Sequence, residues 1–68
     1  MHMNDADRKH LAEAVRRACL EAARKGYEDA AIAGICHEGA VELSLDAIRG
    51  LDVAPLLQSF EGEGKKPG

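Results

Sequence analysis

An all-α fold is predicted by three observations. Twelve of the 68 residues are alanine, apolar residues recur at helical spacing in two long stretches, and glycines fall where those stretches break. Alanine is the best helix former and a weak core filler. One Tyr, one Phe and no Trp leave out the large contributions that aromatic side chains bring to a core. The predicted architecture is a helical hairpin, two main helices plus a short C-terminal helical segment, self-associating into a four-helix bundle.

The first helix starts at Asn4 or Asp5. Either can cap it, and Asp5 and Asp7 place negative charge in the first turn. With Leu11 as the zero of a helical wheel, Val15, Ala18 and Ala22 fall within about 40° of it, flanked by Ala12, Ala14, Cys19 and Ala23. This apolar arc covers roughly half the circumference, wider than the ~100° stripe of a simple surface helix. Glu13, Arg16, Arg17, Glu21 and Arg24 lie opposite, with Leu20 isolated among them. Gly26 follows Arg24 and Lys25 and can end the helix as a C′ glycine. It also falls within the apolar arc, where a missing side chain lets another helix come close. The helix is read as running on through Tyr27 to about Ala33, since a lone internal glycine costs only about 1 kcal/mol relative to alanine.

Gly34 and Gly39 punctuate a connection. The second helix is expected from about Glu38 to Arg49, with Val41, Leu45 and Ile48 at the centre of its apolar face. Ala40, Leu43, Ser44, Ala47 and Leu51 widen that face past half the circumference. Gly50 and Asp52 close the helix, and Pro55 suits the first turn of a third element with Leu56, Leu57 and Phe60. Residues 5–60 thus form one helical domain. Residues 61–68 carry no apolar anchor and are expected to be a disordered tail. Residues 1–4 are expected to be a disordered start, in which Met1-His2-Met3 reads as an added beginning before a native one.

A formal net charge of −3 argues against a general polyanion binder. No apolar run approaches the roughly 20 residues of a membrane span, and no signal-peptide pattern opens the chain. The expected location is cytoplasmic, with Cys19 and Cys36 reduced rather than bridged.

Cys36-His37-Glu38 is the most chemically suggestive cluster. All three side chains can bind zinc, but a structural site normally takes four ligands, and consecutive residues project in different directions. A site built from Cys36 and His37 would need both copies of a dimer. The bland reading has Cys36 packing as a small hydrophobe while His37 and Glu38 open the second helix. A thiol just before a helix N-terminus can be activated, yet nothing supplies an oxyanion hole or a substrate pocket. The Glu-x-x-His spacing of di-iron bundles is absent. Arg8-Lys9, Arg16-Arg17 and Arg24-Lys25 rotate by about 80° from pair to pair, so no basic stripe forms. Glu13 with Arg17 and Glu21 with Lys25 are instead the i,i+4 pairs of a solvated surface. The second helix is too apolar for a recognition helix, and stacking aromatics are lacking. His10 and Tyr27 read as surface and boundary residues, the Tyr27 hydroxyl in water. The glycines make no phosphate loop.

No catalytic residue and no cofactor are therefore expected, zinc at Cys36 and His37 being the one metal candidate. A domain near 60 residues is marginal alone and usually needs a disulfide, a metal, very good helix packing or oligomerisation. Two helices joined by a short connection cover only one stripe of each other, and both helices carry more apolar arc than that. Closed two-fold dimers are the commonest assembly, so a homodimer or higher homo-oligomer is expected, a different protein being the other candidate partner. Leu11, Val15, Val41, Leu45 and Ile48 are its expected interface. The predicted function is a small non-enzymatic interaction protein, accessory, adaptor or regulatory, with neither nucleic acid nor membrane as partner. The alternative is a metal-binding or thiol-redox module at Cys36 and His37.

Overall fold

A computed structural model describes residues 4–64, so residues 1–3 of the expected start at 1–4, and residues 65–68 of the expected tail, lie outside the described residues. Three helices follow one another: α1 (Asp5–Ile32), α2 (His37–Arg49) and α3 (Ala54–Gly64). The fold is an all-helical hairpin with a short third helix. None of the helices is long and apolar enough to cross a membrane.

Each boundary has a local cause. Asn4 caps α1, its side-chain oxygen accepting the Asp7 backbone N–H at 2.7 Å, and Asp5 and Asp7 stand in the first turn, where they complement the helix dipole. The helix runs through Gly26 without a break. It ends in a Schellman turn: the Gly34 N–H donates to the Ala31 carbonyl at 3.0 Å and the Ile35 N–H to the Ala30 carbonyl at 2.9 Å. Gly34 takes φ +87° there, a left-handed conformation that side chains with a Cβ resist. Cys36 is the extended N-cap of α2, and its side chain makes no capping bond. At the far end the Gly50 N–H donates to the Asp46 carbonyl at 2.9 Å. The Asp52 carboxylate accepts the Ala54 N–H at 3.1 Å, which starts α3, and Pro55 sits in its first turn as expected.

At the C-terminal end α3 extends to Gly64. Extending a helix already nucleated costs far less than starting one, so this last turn needs no apolar anchor of its own.

Two compact units share α1. The first comprises its N-terminal part as far as Arg16 together with the chain from Asp52 onward; the second runs from Arg17 to Leu51. In the first, Leu11, Val15 and Leu56 are half-buried, while Val53 and Leu57 are exposed. In the second, α1 and α2 form the hairpin. Among the described residues only Ala30 and Ala40 are buried, with exposures of 4% and 0%.

Candidate functional site

The two faces of α2 differ sharply. A methyl group placed at Gly26 of α1 would lie 3.1 Å from the Ala47 Cβ, 3.2 Å from the Leu43 carbonyl oxygen and 3.2 Å from the Ser44 Cα. The backbones of the two helices are therefore nearly in contact here, and only glycine fits without displacing main chain. Ala30 and Ala40 are buried in the same unit, and Ser44 and Ala47 are half-buried. Ala40, Ser44 and Ala47 recur at spacings of four and three, the pattern of one helical stripe. The hairpin is thus closed by small residues that let the helices approach.

Val41, Leu45 and Ile48, the expected centre of the apolar face and part of the expected interface, form a second stripe. Their stripe lies about 100° round the helix from Ala40, Ser44 and Ala47. Val41 remains 37% exposed and Leu45 44% exposed, and Ile48 is half-buried. A broad apolar arc offers two stripes, and the one with small side chains permits the closer helix approach. On α1, Leu20 is 66% exposed among charged neighbours, and Ile32 at the helix end is 85% exposed. Leu11 and Val15 are half-buried in the other unit.

The sequence-predicted chemical cluster does not converge. Cys36 is exposed and Cys19 half-buried, and both are free thiols. Among the described residues no group of three or more His, Cys, Asp or Glu side chains gathers as a metal set would. His37 instead meets Tyr27. The phenol oxygen and the ring Nδ1 are 2.9 Å apart, and the rings pack edge to face with centroids 5.7 Å apart and planes at 70°. Tyr27 is a half-buried boundary residue, as expected, and its hydroxyl has His37 as a partner as well. The pair ties α1 to the first residue of α2, and no local spacing rule connects positions ten residues apart across a turn.

The ion pairs also shift by one position from those expected. Glu13 pairs with Arg16 at 3.3 Å rather than with Arg17, and Glu21 pairs with Arg24 rather than with Lys25. Arg24 also holds Glu28 at 2.7 Å, which leaves Lys25 to Asp29 at 3.0 Å. A guanidinium fork can serve two carboxylates at once, which an ammonium does less well. The hydrogen bond from Arg24, and then its charge, hold the Glu21 carboxyl below the usual carboxylate range. The two acids in turn push Arg24 further up. These pairs are exposed and describe a solvated face of α1.

No protein-family model matches this chain, and neither a curated protein nor a solved structure gives a significant match to it.

Proposed function

We propose that this chain is a small non-enzymatic helical interaction module that works by self-association, two hairpins combining into a four-helix bundle. The observation that carries the reading is the content of the hairpin's interior. Its buried side chains among the described residues are two alanines, while Val41 and Leu45 face outward. Burying a large aliphatic side chain is worth about 1.5–3 kcal/mol, so part of the stabilisation available from the larger residues is unused in a single copy. Small helical chains commonly recover it by oligomerising. Leu11, Val15, Val41, Leu45 and Ile48 are the proposed interface residues. An accessory, adaptor or regulatory role suits such a module, whose exposed apolar residues offer a binding surface.

The test is the mass of the native chain in solution, compared with that of Leu45→Glu. The expected outcome is a homo-oligomer whose mass falls to that of one chain in the variant, with helical circular dichroism retained. A wild-type chain that stays single at high micromolar concentration overturns the reading. So does a folded Leu45→Glu variant with unchanged oligomeric mass. A zinc adduct lost in Cys36→Ser would favour a metal module at Cys36 and His37 instead.

A further inference from the structure

The outward face of α2 carries charges as well as aliphatics, and their order along the helix selects a partner. Beside the Val41, Leu45 and Ile48 stripe, on the side away from Ser44, lie Glu38, Arg49 and Glu42, within about 40° of one another. The opposite flank carries His37, Ser44 and Leu51 and turns toward the α1 contact. One flank is thus charged with both signs, two acids near the N-terminal end and one base near the C-terminal end. Arg49 is 69% exposed and pairs with Asp46 of its own helix at 2.6 Å. An exposed pair of this kind contributes little and exchanges readily.

We propose that two copies of this chain meet α2 against α2, antiparallel, about a two-fold axis passing between Ser44 and Leu45. The inference rests on the self-association proposed above and specifies its central contact. In that register Val41 of one copy faces Ile48 of the other, and the two Leu45 side chains flank the axis. A two-fold axis perpendicular to the helices brings each charged flank onto the same flank of its mate. Arg49 then falls between Glu38 and Glu42 of the other copy, twice over, by symmetry. A parallel pairing lacks this match. It sets the charged flank against the His37 and Ser44 flank, where Arg49 meets no acid of the other copy. Charge complementarity therefore selects the antiparallel pair, as flanking charges do in coiled coils.

A charge exchange tests the arrangement. One variant carries Arg49→Glu, the other Glu38→Arg with Glu42→Arg, and each is examined alone and in an equal mixture by native mass spectrometry and sedimentation. Alone, each variant faces like charges across the proposed axis, and its self-dissociation constant is expected to rise about tenfold or more. Mixed, the two sets of charges complement each other again, so a heterodimer of near wild-type affinity is expected. Rescue on mixing separates the interface from simple fraying of α2, because a frayed helix would not recover on meeting a second altered chain. Two variants that self-associate like the wild type, or a mixture that forms no heterodimer, overturn the antiparallel α2 contact while leaving self-association standing. A wild-type chain that is monomeric throughout overturns both.

Discussion

The inner and outer faces of α2 are made from the same helix and do opposite things. The inner face is built of Ala40, Ser44 and Ala47 and brings α2 so close to α1 that a methyl group at position 26 would press on the Leu43 and Ser44 backbone. The outer face carries Val41 and Leu45, larger and more hydrophobic, and leaves them exposed. Size, not hydrophobicity, has decided which stripe closes the hairpin. Small side chains let helix backbones pack at short range, where many weak dispersion contacts add up. Large ones keep neighbouring axes apart and suit a contact that forms between chains.

The contrast can be broken most forcefully from inside. Gly26→Leu drives a branched side chain into the Ala47 methyl and the Leu43 and Ser44 backbone. Overpacking of this kind typically costs about 1–3 kcal/mol, and backbone neighbours put this site at the upper end. Urea or thermal denaturation followed by circular dichroism should show the loss, and an undiminished midpoint would mean the two helices are not in close contact at Gly26. Leu45→Glu, on the outer face, should instead preserve helicity and change mass.

Smaller changes sharpen the comparison at the hairpin's turn. Gly34→Ala forces a Cβ into the left-handed region and should cost about 1–2 kcal/mol, read as a lowered melting midpoint at fixed concentration. Tyr27→Phe keeps the ring packed near His37 but removes the hydrogen bond, and about 0.5–1 kcal/mol is expected for an accessible pair. A melting midpoint equal to that of the wild type would show that water replaces the phenol at no cost.

The smallest effect belongs to the solvated side of α1. The Glu21 carboxyl is held below its ordinary range by Arg24, so folding favours its ionised form. Its contribution is complete above the ordinary carboxylate value and disappears as pH falls through the lowered one. Glu21→Gln should therefore narrow the difference from wild type on acidification, with the two melting curves converging in acid. A gap that widens toward low pH would contradict the pairing with Arg24.

Much of the fold was legible because its signals are local. Asn4, Gly34, Gly50 and Pro55 mark helix boundaries through backbone requirements that depend on a residue and its immediate neighbours. Gly26 was harder, since a glycine after two cations is equally a stop signal and a place of close approach. Its position within the apolar arc tipped the reading toward a continuous helix. The choice between the two stripes of α2 was not legible, because periodicity measures how wide an apolar arc is and not which part a neighbour uses. Alanine and serine are also faint on a hydrophobicity scale, though here they make the tightest contact. The Tyr27–His37 pair depends on how the turn places two helices, and neither residue carries that in its own surroundings. The offset ion pairs reflect competition, with Arg24 taking both Glu21 and Glu28 and so redirecting Lys25.

The partial exposure of the larger side chains also has a calorimetric consequence. The heat-capacity change of unfolding scales mainly with the apolar surface newly exposed to water, and in a single copy Val41, Leu45 and Leu57 already keep 37%, 44% and 42% of theirs in solvent. Its melting should be shallow, with a small enthalpy and weak curvature against temperature. Association of copies adds apolar burial to the folded state alone, so both steepness and midpoint should climb with total protein concentration. For this chain, concentration would act as a folding variable in the way that temperature or denaturant does for a larger domain.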